Sequence, residues 1–198
     1  SLAISGNPVD GELSDNLIVK AYRMLSADHR LPHIDFNLEK HIPSQAGLGG
    51  GSSDATYTLR LLNKLCQLNL NSATLHQYAV RLGADCAFFV TATPAFATGI
   101  GDILEPMNAE CAHLHGMYLL IVKPTVAIST AQAFAFVKPQ PTLIKCKDIV
   151  AQPVNSEWRN HLTNNFEVSA FKLHPEMHTI KEQLYNMGAL YAQMSGSG

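Results

Sequence analysis

The chain has 198 residues, enough for one large domain or two small ones. Hydrophobic residues make up 46% and charged residues 15%, which is not the composition of a disordered chain. The formal net charge is −2 and no block of Lys and Arg occurs, which argues against electrostatic binding to nucleic acid or to a membrane surface. The apolar runs are far shorter than the ~20 residues of a membrane span. The four cysteines are far apart, which argues against a disulfide scaffold or a zinc knuckle and suits the reducing cytoplasm.

The two ends of the chain resemble the interior of a longer sequence. The chain opens at Ser1 and runs at once into a strand-like Leu-Ala-Ile. It stops at the glycine turn Ser195–Gly198, where a further element would ordinarily follow. We therefore expect an interior piece, truncated at both ends; the alternative is a trimmed chain with flexible termini.

Short strand patterns alternate with helical patterns in the first half of the chain. Ser14-Asp15-Asn16 provides a helix cap, and residues alternate between apolar and polar from Ile34 to Glu39. In order, we predict a strand at 2–4, a capped helix from 17 to 25, a strand over 34–42, a helix from 52 to 66, a helix over 72–82, and strand pieces at 95–98, 100 and 103.

The second half follows a polar interval over 108–115, which is the best candidate boundary. In order, we predict a buried strand over 117–123, a short helix capped by Ser129-Thr130 and running to Val137, a loop or short turn over 138–154, helices over 155–162, 164–173 and 176–187, and a strand over 189–194. This order indicates an α+β protein with two unequal lobes, 1–113 and 114–198.

The strongest motif runs from Pro43 to Ala55 and contains the glycines 47 and 49–51. Consecutive glycines let backbone N–H groups converge on an anion, and the following helix N-terminus adds its dipole and free N–H groups. Ser52 and Ser53 offer hydroxyls for further bonds or a metal contact. No Lys-Ser/Thr pair follows, so this is not a Walker loop, and the dinucleotide fingerprint is also incomplete. The motif predicts a phosphate cradle, and the alternative is a flexible surface turn.

This loop closely resembles the ATP loop of the GHMP kinases, a family that includes galactokinase, homoserine kinase and mevalonate kinase. Further segments resemble the same family in the same order: Asp15–Ile18, Leu82–Phe89, Ala95–Asp102, Lys123-Pro124 with Ser129–Ala131, Asn164–Glu167 and Ser195–Gly198. The resemblance implies a two-lobe α+β fold, with a ribosomal protein S5 domain 2-like lobe over 1–113 and an incomplete ferredoxin-like lobe over 114–198. Together the segments imply ATP-dependent phosphorylation of the 2-hydroxyl of a cytidine diphosphate-linked methylerythritol, in the non-mevalonate route to isoprenoids.

The resemblance also implies roles for individual residues. Asp85 would be the catalytic base, although spacing alone favours an ordinary surface or capping aspartate. The family's partner lysine belongs to an opening segment that is absent here, which leaves the activity of the chain as given open. The resemblance implies ATP contacts at Asn16, Leu17, Lys40, Pro43, Gly47, Leu48, Gly49, Gly50, Gly51, Ser52, Ser53 and Asp54. Without the resemblance, a solvated charge on a strand explains Lys40 as well as an ATP contact does. An acid at a helix N-terminus explains Asp54 equally well.

For the substrate, the resemblance implies a pocket that includes Ile100, Thr130 and Phe134, with the cytosine stacked on Phe134. Without the resemblance, Phe134 would be interpreted as a core residue. The nine histidines provide no metal set, and Mg²⁺ is expected to bridge ATP oxygens without a protein cage. Another GHMP kinase, of the homoserine or mevalonate type, and a non-catalytic nucleotide-binding protein remain the alternatives. The sequence allows a monomer or a homodimer.

Overall fold

The computed structural model describes residues 1–44, 46–126, 128, 130–137 and 144–197, and of the side chains at 130 and 131 nothing is described. These residues form two compact units. The first comprises residues 1–44 and 49–106, and the second comprises the described residues of 45–48 and 107–198. The lobe boundary predicted after residue 113 stays a prediction.

The first unit combines two small sheets with three helices. Its regular elements are β1 (Leu2–Gly6), α1 (Leu17–Asp28), β2 (Phe36–Lys40), α2 (Gly50–Leu65), α3 (Ser72–Leu82), β3 (Ala95–Thr98) and β4 (Ile103–Pro106). A 3₁₀ turn precedes α1 at Leu13–Asp15, and a longer 3₁₀ helix follows α3 at Ala84–Val90. β1 and β2 pair in parallel, with Gly6 opposite Lys40, whereas β3 and β4 pair antiparallel. The predicted strands and helices of this half are confirmed, except that Ile100 lies in the turn between β3 and β4 and is not part of a strand.

The core of the first unit lies among its three helices and the 3₁₀ helix. Each helix presents apolar residues at intervals of three and four, the spacing of one helical face. The fully or nearly buried residues are Ala21 and Leu25 of α1, Ala55, Leu59 and Leu62 of α2, Leu75, Tyr78 and Ala79 of α3, and Cys86. This packing fixes the N-terminus of α2, where the glycine-rich loop ends.

The second unit is helical within the residues that the structure describes. Its elements are a 3₁₀ turn at Ala112–Leu114 and the helices α4 (Thr130–Phe134), α5 (Cys146–Val150), α6 (Ser156–His161), α7 (Glu167–Leu173) and α8 (Pro175–Asn186). A small core contains Ile128, Ala133 and Ala170. The helices predicted at 155–162, 164–173 and 176–187 are confirmed. The predicted cap at Ser129 and residues 138–143 of the predicted loop lie outside the described residues. The rest of that predicted loop contains the five-residue helix α5, and α4 ends at Phe134, before the predicted end at Val137.

Two predicted strands of this unit are wrong. Neither 117–123 nor 189–194 is a strand, and Tyr118, Leu119 and Leu120 are 103%, 86% and 68% exposed. A strand needs a neighbour for its backbone hydrogen bonds, and in the described residues both sheets belong to the first unit. Without a neighbouring strand among the described residues, the apolar run over 117–123 remains exposed. No helix among the described residues is long and apolar enough to cross a membrane.

Candidate active site

A cavity of about 200 Å³ opens in the first unit, at the carboxyl end of β2 and the N-terminal ends of α1 and α2. Lys40 is the last residue of β2, Asn16 and Leu17 begin α1, and Asp54 lies in the first turns of α2. With Gly51, five residues with predicted ATP contacts thus line one cavity. Drug-sized ligands need roughly 300–1,000 Å³, so a space of this size suits part of a nucleotide.

Lys40 and Asp54 form an ion pair at the wall of this cavity. The Lys40 Nζ lies 2.5 Å from Asp54 Oδ2, and the Lys40 side chain is only 4% exposed. A buried ammonium group requires a partner, because desolvation of an unpaired charge costs on the order of several kcal/mol. The interpretation of Lys40 as a solvated strand charge is therefore wrong. Asp54 does lie near the N-terminus of a helix, but its carboxylate is engaged by the lysine.

Asn16 serves the start of α1 as well as the cavity. Its Oδ1 accepts a hydrogen bond of 2.9 Å from the Ile18 backbone N–H, the usual bond of a helix N-cap. The capping bond fixes the side chain and leaves the Nδ2 group as the donor that a ligand could use. Leu17 contributes an apolar side chain beside it. This pair offers one polar and one apolar contact to a planar base.

Backbone geometry and packing both require glycine at positions in this loop. Gly47 and Gly49 have φ values of +61° and +64°, a region that other residues rarely adopt. A Cβ on Gly49 would lie 3.0 Å from the Phe89 ring, and one on Gly50 would lie 2.9 Å from Ile42 Cγ2. The interpretation of the loop as a flexible surface turn therefore does not fit its packing.

The end of this loop leaves backbone donors at the start of α2. The first helical hydrogen bond runs from the Ser53 N–H to the Gly49 carbonyl, at 2.8 Å. The N–H groups of Gly50, Gly51 and Ser52 therefore precede the helical ladder, which is the arrangement that binds anions at helix N-termini. Pro43, Leu48, Ser52 and Ser53 are half-buried around this start.

Asp85 lies on the first turn of the 3₁₀ helix, with an exposed side chain. Its neighbour Cys86 is buried and connects this turn to α2: the Thr56 hydroxyl donates a 2.8 Å hydrogen bond to the Cys86 carbonyl. Burial raises the pKa of the Cys86 thiol, while hydrogen bonds from Ser52 and Thr56 act in the opposite direction. Asp85 is therefore one residue from a direct contact to the first turns of α2.

The predicted substrate residues belong to different units. Ile100 lies at the tip of the β3–β4 hairpin in the first unit and is 73% exposed, with its backbone N–H bound to Asp102 Oδ1. Phe134 ends α4 in the second unit, is 60% exposed, and meets the Phe166 ring edge-on at 4.8 Å. The interpretation of Phe134 as a core residue is therefore wrong. Thr130 begins α4, and its side chain lies outside the described part of the chain.

Sequence reasoning missed several residues of the cavity. Val9, Asp10, Glu12, Asp15, Leu38 and Ser44 also line it. What brings these residues to the cavity is the topology of the sheet. Because β1 and β2 are parallel, the loop after β1 begins beside Lys40. The Asn7 N–H donates a 2.7 Å hydrogen bond to the Lys40 carbonyl there. Three carboxylates around one paired lysine favour a neutral, hydroxyl-rich group over phosphates at this position.

The chain matches two family models. The model described as "GHMP kinases N terminal domain" matches residues 16–93, and "GHMP kinases C terminal" matches residues 145–198. A solved crystal structure, of 4-(cytidine 5'-diphospho)-2C-methyl-D-erythritol kinase, is similar with a TM-score of 0.70 and 28% identity. That similarity covers 99% of this chain and 71% of the other.

Curated relatives extend the similarity along nearly the whole sequence. A protein of Bacteroides thetaiotaomicron, named 4-diphosphocytidyl-2-C-methyl-D-erythritol kinase, is 49% identical over 197 residues, covering 100% of this chain and 69% of its own length. Proteins with the same name from Bacteroides fragilis and Porphyromonas gingivalis are 48% and 42% identical. These cover 98% and 100% of this chain, and 69% and 71% of their own lengths. The predicted α+β GHMP fold is thereby confirmed, and the chain belongs to the GHMP kinase family.

Proposed function

We propose that this kinase transfers the γ-phosphate of ATP to the 2-hydroxyl of 4-diphosphocytidyl-2-C-methyl-D-erythritol, a step in isoprenoid precursor synthesis. The observation that carries the proposal is the 49% identity over 197 residues to a curated relative with that name. ATP is the phosphate donor of GHMP kinases, and the geometry of the first unit supports this part of the proposal independently.

The nucleotide would use two features of the chain, the cavity of the first unit and the glycine-rich loop. The cavity beside Asn16, Leu17, Lys40 and Asp54 would take the base and ribose, because its carboxylates suit hydroxyl groups better than phosphates. The phosphates would lie on the glycine-rich loop from Gly47 to Ser53. There they would meet the free N–H groups at the start of α2 and the positive end of its dipole.

Phosphoryl transfer requires an acceptor hydroxyl in line with the γ-phosphorus and a group that accepts its proton. The substrate oxygen would bond to the γ-phosphorus, while the bond from that phosphorus to the bridging oxygen of ADP breaks. The Asp85 carboxylate would receive the hydroxyl proton. The electrons of the broken bond would stay on ADP, whose charge the loop N–H groups and the helix dipole stabilise.

Mg²⁺ belongs to the proposal as the ion that accompanies ATP and offsets charge on its phosphate oxygens. Among the described residues, no group of three or more His, Cys, Asp or Glu side chains could hold a metal ion. Mg²⁺ typically keeps several waters and takes one or two protein oxygens beside substrate phosphates. The hydroxyls of Ser52 and Ser53 at the start of α2 are the protein oxygens that suit this arrangement.

The cytidylyl group would use Ile100, Thr130 and Phe134. A stacking residue must present its ring to the ligand, and the 60% exposure of Phe134 supports this role. We further propose a cytoplasmic monomer or homodimer without nucleic-acid partners. The four free cysteines suit a reducing compartment.

The proposal is tested by a coupled kinase assay on the full-length protein, with the cytidylyl substrate, homoserine and mevalonate offered in parallel. We expect turnover with the cytidylyl substrate and at most trace turnover with the two simple alcohols. Preferential turnover of homoserine or mevalonate would assign another GHMP activity. Nucleotide binding without turnover of any of the three would favour a non-catalytic protein.

A further inference from the structure

The segment Met194–Gly196 lies directly against the first glycine of the glycine-rich loop, within the second unit. The Ser195 hydroxyl donates a 2.6 Å hydrogen bond to the Gly47 carbonyl. A Cβ on Gly47 would overlap the Ser195 carbonyl, and one on Gly196 would lie 3.5 Å from Gly47 Cα. Because the two backbones touch, a displacement of this segment would change the surroundings of Gly47.

The Asn164 side chain holds the segment through its carbonyl groups. Its Nδ2 donates to the Met194 carbonyl at 2.8 Å and to the Gly196 carbonyl at 2.7 Å. Its Oδ1 accepts a 2.9 Å bond from the Phe166 N–H, which fixes the orientation of the amide at the start of α7. The donors and the acceptor of this amide are thus all engaged.

The Glu167 side chain holds the same segment through an N–H group. Its Oε1 accepts a 3.1 Å hydrogen bond from the Met194 backbone N–H. The Lys181 Nζ donates to the same carboxylate, to Oε1 at 2.9 Å and to Oε2 at 2.7 Å. Glu167 is only 8% exposed, so its charge requires such a partner. Lys181 also donates to Gln193 Oε1 at 3.1 Å, immediately before the segment. Met194 is therefore held by both its N–H and its carbonyl group.

We propose that Asn164 and Glu167 are positioning residues for nucleotide binding. They hold Met194–Gly196 on Gly47 and so keep the beginning of the loop in the conformation that receives phosphates. Neither side chain needs to contact the nucleotide, because the effect passes through the Ser195–Gly47 contact. This inference rests on the proposed function of the loop.

The test is calorimetric titration of the full-length protein with a non-hydrolysable ATP analogue. Asn164→Asp keeps the shape and the bond from Phe166 but turns a carboxylate oxygen toward two carbonyl oxygens. We expect its Kd to rise about tenfold, the change that a net loss near that of one hydrogen bond produces. Asn165→Asp makes the same chemical change at an exposed neighbour and should leave the Kd unchanged.

Ser195→Ala provides a second variant that removes one exposed hydroxyl and should fold normally. We expect a Kd rise of about threefold, and no further rise when Ser195→Ala is added to Asn164→Asp, because both act through one contact. An Asn164→Asp protein that binds like Asn165→Asp would overturn the inference, as would an unchanged Ser195→Ala or strictly additive effects.

Gly49→Val distinguishes failure of this inference from failure of the proposed function. If Gly49→Val binds the analogue as tightly as the unmodified protein, the loop does not receive phosphates and both proposals are overturned. If Gly49→Val binds weakly while Asn164→Asp binds normally, only the positioning role is overturned.

Discussion

Asp85 is the residue on which the proposed chemistry depends. Asp85→Asn keeps the size of the side chain but removes the proton acceptor and one negative charge. We expect kcat to fall by roughly two or more orders of magnitude, the range seen when a general base is lost. The Kd of an ATP analogue should stay within a few-fold, since Asp85 does not line the cavity. Steady-state kinetics and calorimetry on the full-length kinase measure both quantities.

Asp148→Asn serves as the matched control for this prediction. It makes the same change at an exposed position of α5 in the second unit, outside the proposed site. Its kcat should equal that of the unmodified kinase. An Asp85→Asn enzyme as active as the Asp148→Asn enzyme would show that Asp85 is an ordinary surface residue.

Phe134 tests the choice of substrate. Loss of a stacking partner for a base costs about 1–3 kcal/mol, so Phe134→Ala should raise KM for the cytidylyl substrate about 5- to 150-fold. The KM for ATP should change little. Truncation of a core Phe costs about 3–5 kcal/mol of stability and lowers the melting temperature sharply. Because the Phe134 side chain is 60% exposed, its truncation should lower the melting temperature far less.

Phe136→Ala is the control, because it truncates the same residue type two positions away. Phe136 is 38% exposed and lies under Lys172, whose Nζ is 3.9 Å from the ring centroid. It should leave KM for the cytidylyl substrate unchanged. If the two variants have equal KM values for the cytidylyl substrate, Phe134 does not stack on the cytosine and gives no support to this choice of substrate.

Residue types in the site were easier to predict than their pairings. Lys40 and Asp54 could be singled out from the family motif, but the sequence contains no signal that joins side chains 14 positions apart. Their contact depends on the end of β2 meeting the first turns of α2, which is a property of the folded unit. For the same reason Asp10 and Glu12 were missed: they reach the cavity only because β1 is parallel to β2.

At the scale of the element, the glycine-rich loop carries the sharpest prediction. Gly49→Val places a β-branched side chain at a φ of +64° and against Phe89. The valine side chain also obstructs the approach of phosphate to the backbone. We therefore expect calorimetry to show that the Kd of the ATP analogue rises at least tenfold. The strained backbone should cost about 1–3 kcal/mol of stability.

Gly188→Val separates these two effects. Gly188 has a φ of +96° with nothing within 4 Å of an added Cβ, and it lies far along the chain in the second unit. It should lose a comparable amount of stability while binding the analogue normally. Equal analogue affinities for the two variants would contradict a phosphate cradle at Gly49.

Helices of this chain were more predictable than its strands. A helix satisfies its own backbone, so the cap at Asn16 and the apolar spacing sufficed to predict α1. The helix α3 was predicted over its observed residues as well, although its cap at Asn71 was not singled out. A strand is completed by another segment, and the apolar run Tyr118–Val122 has the composition of a strand without a paired neighbour in the described residues. Composition reports which residues would suit a sheet, but it cannot report whether the sheet forms.

At the scale of the whole molecule, binding of each substrate should be visible as stabilisation. A ligand at 100 times its Kd stabilises the native state by about 2.7 kcal/mol. For a protein of 150–250 residues this raises the melting temperature by about 5–10 °C. We expect the ATP analogue and the cytidylyl substrate each to produce such a shift in the full-length kinase. Thermal melts followed by dye fluorescence measure both.

The two variants described above should divide these shifts between the ligands. Gly49→Val should lose most of the shift with the ATP analogue and keep the shift with the cytidylyl substrate. Phe134→Ala should do the reverse, because the loop and the exposed ring of α4 are proposed to bind different molecules. Comparing each variant with its own ligand-free melt removes the intrinsic loss of stability. If either variant loses both shifts equally, the two residues do not belong to separate binding sites, and the proposed assignment of substrates to residues is wrong.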